Sequence, residues 1–130
     1  MTAEERTLVK YRLERAHETL REAKLLLDSG LLIGYVNRLY YACFYAVSAF
    51  LLLKGFSTSK HSYARSLVHR ELVKTNLLSA QMGNFYDSLF ENRQKGDYTD
   101  MMRFDAKKVA PWFDKTAEFI KAISILLADV

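Results

Sequence analysis

Apolar residues recur at steps of three and four along most of the chain, which is the spacing that brings them to one face of an α-helix. The first segment shows this pattern at Val9, Leu13, Ala16, Leu20, Ala23 and Leu27. Thr2 and Glu5 have the spacing of a capping box, and Asp28-Ser29-Gly30 supplies a glycine where such a helix should end. The pattern therefore predicts an amphipathic first helix.

The second segment, about 31 to 54, is apolar on nearly every side, which is typical of a central helix that others cover. Its fifteen uncharged residues, 39–53, are fewer than the roughly 18–20 needed to cross a membrane. The three tyrosines within residues 39–53 carry hydroxyls that need partners, which a packed protein supplies. We therefore expect a buried core helix, with Cys43 as a packing residue and not a reactive thiol.

Three further segments continue the helical period, at about 59 to 74, 77 to 94 and 105 to 127. The polar stretch from Arg93 to Asp100 predicts a helix end followed by a structured loop. Asp105 is a candidate N-cap, and Pro111 predicts a kink or a delayed start of the last helix. We expect one domain, 1–130, with an all-α fold: an up-and-down bundle of four long helices plus a shorter helix.

Composition narrows the class of protein further. The 130 residues include a single cysteine and a single proline, which excludes a disulfide scaffold and disfavours a strand-rich fold with frequent turns. Half of the residues are hydrophobic, which excludes a disordered chain. The charged start, Met1 to Arg6, differs from a signal peptide, so a cytoplasmic protein is expected. The net charge of +4 permits an anionic partner.

Few residues suggest chemistry. The chain has no glycine-rich phosphate loop, no His-Glu-x-x-His and no pair of cysteines, so we expect no metal and no cofactor. The third helix is the most basic stretch and includes Lys60 and His61. Such a helix is either a solvated face or a surface for phosphate or RNA.

Two arginines occupy positions that need an explanation. Arg38 lies within the most apolar helix, where it either reaches solvent or pairs with a carboxylate of another helix, for which Asp97 is the candidate. Arg93 ends the core-facing stripe of the fourth helix. It either offsets the helix dipole or is placed there to bind a ligand.

Four short motifs follow one another along the chain: Asn37-Arg38-Leu39-Tyr40-Tyr41-Ala42, Lys60-His61, Asn92-Arg93 and Gly96-Asp97-Tyr98. In this order they resemble the HEPN superfamily over essentially the whole chain. Within it, the sequence is most similar to small stand-alone prokaryotic proteins that are often encoded beside a minimal nucleotidyltransferase. The resemblance implies an up-and-down helical bundle that pairs into a homodimer.

The resemblance also implies a mechanism from which this chain departs. Active HEPN ribonucleases resemble one another in an arginine followed, after four to six residues, by a histidine, and both copies of the dimer form one RNA-cleaving cleft. Counted from Arg93, those positions hold Tyr98, Thr99 and Asp100. The imidazole that would transfer a proton near neutral pH is missing there. We therefore leave enzymatic activity open and assign no catalytic residue.

The favoured hypothesis is a homodimeric module that binds RNA or a nucleotide. It would act with a nucleotidyltransferase partner in the manner of a toxin–antitoxin pair. Arg93 would hold phosphate, Tyr98 would stack or offer its hydroxyl, and Asp97 would orient Arg38 or Arg93. Lys60 and His61 would extend the positive surface. One alternative is a metal-independent ribonuclease with a non-standard base. The other is a structural bundle in which Arg38, Arg93 and Asp97 form a buried ionic network.

Overall fold

The computed structural model describes residues 1–57 and 59–130, and no strand occurs among them. The helices are α1 (Ala3–Asp28), α2 (Leu32–Leu53), α3 (His61–Leu67), α4 (Ala80–Tyr98), α5 (Ala106–Val109) and α6 (Trp112–Leu126), with a π-helical segment, Val68–Val73, that continues α3. The four longest, α1, α2, α4 and α6, form the bundle, which confirms the predicted all-α fold class.

Helix α2 lies at the centre of this bundle and packs against α1, α4 and α6. Its buried residues include Tyr35, Leu39, Tyr40, Cys43 and Phe50. By length and composition α2 could also cross a membrane, yet 56% of its most apolar window is buried inside the protein. Burial raises the pKa of the Cys43 thiol far above its usual range, so the thiolate is disfavoured. Both features agree with the expected core helix.

The predicted caps at Thr2 and Asp105 and the predicted effect of Pro111 are confirmed, although the segment predicted as one helix over 105 to 127 divides into α5 and α6. Thr2 and Glu5 form a reciprocal capping box, and Gly30 ends the α1 turn at φ +72°. The Asp105 carboxylate accepts a hydrogen bond from the backbone N–H of Lys107, which caps α5. Pro111 precedes the first residue of α6, so the last long helix has the delayed start that its fixed φ predicts.

The predicted end of α4 near residue 94 is wrong, because the helix continues to Tyr98. Gly96 does not break it, and its lack of a Cβ lets the helix approach Phe104 closely. A Cβ at that position would lie 3.0 Å from Phe104 Cε2. Arg93 and Asp97 therefore stand one turn apart on the same helix, and not on a helix end and a loop.

The third helix also differs from the regular helix predicted over 59 to 74. Only His61–Leu67 is α-helical, and the rest of the segment widens into a π-helical turn. This turn packs against α4 at Gly83, where an added Cβ would lie 2.7 Å from Val73 Cγ2 and 3.1 Å from His69 Cε1. A close approach of this kind cannot be read from periodicity.

Replacing Gly83 by alanine should lower the free energy of unfolding by about 1–2 kcal/mol, although alanine ordinarily favours a helix. The reason is the stiff, branched Val73 side chain, which cannot swing away from the new methyl group. Denaturant unfolding measures the change. Gly34→Ala is the matched control, because its Cβ would meet only the flexible Leu26 side chain, at 3.3 Å. A Gly83→Ala protein as stable as the wild type would contradict this.

Candidate functional site

The Arg93 side chain is the centre of the site and is only 6% exposed. Its guanidinium carbon lies 4.7 Å from the ring centroid of Tyr40 and 5.6 Å from that of Tyr41. A desolvated cation over an aromatic face gains about 2 kcal/mol. Two adjacent tyrosines of α2 therefore hold the planar group of Arg93 between α2 and α4.

Asp97 faces Arg93 across one helical turn. The Arg93 Nη1 atom is 3.8 Å from Asp97 Oδ2, and the same oxygen accepts a hydrogen bond of 2.9 Å from Asn37 Nδ2. Arg93 Nε is buried without a hydrogen-bond partner among the described residues. Buried donors are rarely left unpaired in folded proteins, so this guanidinium keeps capacity for an acceptor.

Arg38 pairs with a different carboxylate from the one the sequence suggested. Its Nη1 atom lies 3.6 Å from Glu22 Oε1 of α1, while its Nε and Nη2 donate to Asn37 Oδ1 at 3.0 and 2.8 Å. The predicted direct pair with Asp97 is therefore wrong. Asp97 is engaged by Asn37 and Arg93, so Arg38 is linked to Asp97 only through the Asn37 amide.

His61 joins this cluster from α3. Its Nδ1 atom is 2.8 Å from the Tyr40 hydroxyl, and its ring centroid is 4.4 Å from that of Phe44. Burial, and secondarily the positive charge of Arg93, lower the pKa of His61. The imidazole is therefore favoured in its neutral form at neutral pH, close to Arg93.

Lys60 and Tyr98 lie at the periphery of the cluster. Lys60 is exposed at the start of α3, directly before His61. Tyr98 ends α4 with 76% of the residue exposed. The fold thus brings Arg93, Asp97, Arg38 and His61 together and leaves Tyr98 projecting into solvent.

One arginine and one histidine of the third helical segment pair with carboxylates of α4. Arg65 Nε lies 2.8 Å from Asp87 Oδ1, and Arg65 Nη2 lies 3.0 Å from Glu91 Oε1. His69 Nε2 is 2.9 Å from Asp87 Oδ2. These side chains therefore form a polar seam between two elements, and the part of the basic stretch nearest the site is its start, at Lys60 and His61.

The aromatic side of the site is a feature that the sequence pattern does not predict. The sequence pattern places Tyr40 and Tyr41 in the core of α2 and in the motif that begins at Asn37, two and three residues after Arg38, but it assigns neither ring a contact with a cation. The available signal was the density of aromatic residues between 40 and 45 beside a charged residue. Which of these rings faces a cation depends on the packing of α4 and α3 against α2, and that packing is set by residues distant in sequence.

Comparisons with known proteins show the family of this chain. Residues 9–126 match the family model described as the HEPN domain. A "UPF0332 protein" of Thermotoga maritima is 43% identical over 127 residues, which cover 98% of this chain and 96% of the relative. A Methanocaldococcus jannaschii protein named "putative toxin" is 33% identical over 66% of this chain and 58% of its own length. A second protein so named from that organism is 31% identical over 67% of this chain.

Proposed function

Because this chain belongs to the HEPN family, we propose that it is a toxin-like, homodimeric module that binds RNA or a nucleotide and acts with a nucleotidyltransferase partner. The two relatives named "putative toxin" support the toxin-like assignment. The single observation that carries the binding proposal is the Arg93 guanidinium, held by two tyrosine rings and left with an unpaired donor.

A phosphate group fits the bonding capacity of this site. The Arg93–Asp97 separation of 3.8 Å is longer than a charge-assisted hydrogen bond, so phosphate oxygens can take the place of the carboxylate at little cost. Arg38, with 28% of its side chain exposed, supplies a second cation on the same side. Tyr98 offers an exposed ring or hydroxyl to the rest of the ligand.

The homodimer and the nucleotidyltransferase partner rest on family membership. A dimer would place two copies of the Arg93 cluster in one assembly. A nucleotidyltransferase partner would either modify that dimer or be inhibited by it. Sedimentation at micromolar concentration tests the first proposal. Co-purification of the chain with the product of an adjacent nucleotidyltransferase gene tests the second.

Binding of an oligonucleotide of ten uridines, and separately of ATP, tests the central proposal. Arg38→Gln should weaken binding about tenfold, because it removes a charge-assisted contact, and should reduce the salt dependence by about one unit of slope. Lys121→Gln is the matched control, since Lys121 is an exposed cation on α6. Fluorescence anisotropy at about 50 and 200 mM salt measures both effects. Equal affinities of the two variants would reject the site.

The position of His61 favours a second candidate, a metal-independent ribonuclease. When Nδ1 carries the ring proton and donates to the Tyr40 hydroxyl, Nε2 can accept the proton of a ribose 2′-hydroxyl. The 2′-oxygen then bonds to phosphorus and the bond to the 5′-oxygen breaks. The protonated imidazole returns its proton to that leaving oxygen, so a 2′,3′-cyclic phosphate and a 5′-hydroxyl result. Arg93 would stabilise the negative charge that develops on the phosphoryl oxygens.

Incubation with labelled RNA and analysis of the ends distinguish this candidate from binding alone. Cleavage should produce cyclic phosphate ends and should be lost in His61→Asn. The pKa of His61 is lowered from the ordinary histidine value of about 6.5, so the imidazole loses its proton at a lower pH than usual. The cleavage rate should therefore rise with increasing pH and reach half of its maximum below pH 6.5. If the wild type and His61→Asn give the same products in equal amounts, the ribonuclease candidate is rejected and only the binding function remains as a proposal.

A further inference from the structure

A groove between α1 and α2 lies outside the cluster described above. Its volume is about 540 Å³, and the residues that line it are Leu8, Tyr11, Arg12, Arg15, Phe44, Tyr45, Ser48 and Ser59. None of these described lining residues is acidic. The groove therefore combines aromatic and aliphatic surface with two cations.

The two cations of the groove are held in place by contacts within the protein. The guanidinium carbon of Arg15 lies 5.1 Å from the Tyr45 ring centroid, and Arg15 also pairs at 3.2 Å with Glu18 on α1. Arg12 is fixed by a hydrogen bond of 3.2 Å from its Nη1 to the Ser48 carbonyl. Tyr11 is 55% exposed, so its ring is open to solvent.

The groove adjoins the Arg93 cluster along one face of α2. Phe44 lines the groove and also packs against His61, with ring centroids 4.4 Å apart. Tyr41, which lies under Arg93, has its ring centroid 6.2 Å from that of Tyr45. A chain of aromatic contacts thus links the two sites.

We propose that this groove binds an unstacked base of a single-stranded RNA whose phosphate occupies the Arg93 cluster, an inference that rests on the proposed function. Aromatic rings bind bases of any sequence by stacking, and neighbouring arginines hold the backbone, which is the common design of single-strand binding surfaces. A groove with two arginines and no acidic lining residue complements a polyanion better than a second copy of this net-positive chain.

The test compares an oligonucleotide of ten uridines with a uridine dinucleotide. Tyr11→Ala should weaken binding of the long probe about tenfold and leave the dinucleotide unchanged, because only the long probe reaches the groove from the Arg93 cluster. Tyr63→Ala is the matched control, since Tyr63 is a similarly exposed tyrosine, at 43%, on α3. Arg15→Gln is a second variant and should weaken only the long probe.

The outcomes separate this inference from the proposed function. If the wild type binds the long probe and Tyr11→Ala and Arg15→Gln bind it with the same affinity, the proposal that the groove binds a base is rejected. The proposed phosphate site at Arg93 is unaffected by that result. Failure of the wild type to bind either probe overturns both. If Tyr11→Ala converts a wild-type dimer to a monomer in sedimentation, the groove is a contact between copies and its RNA role is rejected.

Discussion

Replacing Arg93 by alanine should lower the free energy of unfolding by about 2–3 kcal/mol and weaken RNA or nucleotide binding at least tenfold. The first effect follows from the loss of the cation that packs on Tyr40 and Tyr41 and faces Asp97. The second follows from the loss of the only guanidinium that the described structure buries at this cluster. Urea unfolding and anisotropy, recorded well below the melting temperature, measure the two effects separately.

Arg93→Lys separates the ligand role of this residue from its structural role. Lysine keeps the positive charge but loses the planar fork and much of the stacking on tyrosine. We expect an intermediate stability and a loss of binding close to that of the alanine variant. If Arg93→Lys binds like the wild type, the guanidinium is not the phosphate ligand, and an ionic network that only stabilises the bundle becomes the better explanation.

Replacing Tyr40 by alanine should cost about 3–5 kcal/mol of stability, the largest effect of any single change proposed. The side chain is fully buried and contacts five other rings, from Tyr41, Phe44, His61, Tyr86 and Phe90. Truncation would leave a cavity where α2, α3 and α4 meet. Chemical denaturation measures the loss, and a cost below about 1 kcal/mol would contradict this role.

Tyr40→Phe is the matched control, because it keeps the ring and removes only the hydroxyl. Its expected cost is about 1 kcal/mol, since one hydrogen bond to His61 is lost. Without that bond the His61 ring loses its preferred tautomer, which ¹⁵N NMR of the imidazole detects. If the imidazole spectrum is unchanged in Tyr40→Phe, the hydroxyl does not position His61.

The pattern of residues predicted the helices of the bundle because each depends on local rules. The capping box at Thr2, the delayed start at Pro111 and the buried character of α2 follow from spacing, ring geometry and apolar content. The end of α4 was not predictable in the same way. A glycine at 96 ordinarily favours a helix end, whereas in the structure its missing Cβ lets α4 pack closely on Phe104, a contact that only the tertiary structure shows.

The candidate site was likewise predictable only in part. The sequence by itself determined that Arg38 and Arg93 are cations placed against apolar faces, and it indicated the family through short motifs. The tertiary structure decided the pairings: Arg38 with Glu22, Asp97 with Asn37, and Arg93 with the rings of Tyr40 and Tyr41.

The tertiary structure alone also placed His61 beside Arg93, 32 residues away in sequence, where both contact Tyr40. The physical reason is that helical periodicity is encoded within a few residues, whereas the partner of a buried charge depends on how separate helices pack. The sequence therefore determined which residues needed partners, and the packing of α2, α3 and α4 decided which partners they have.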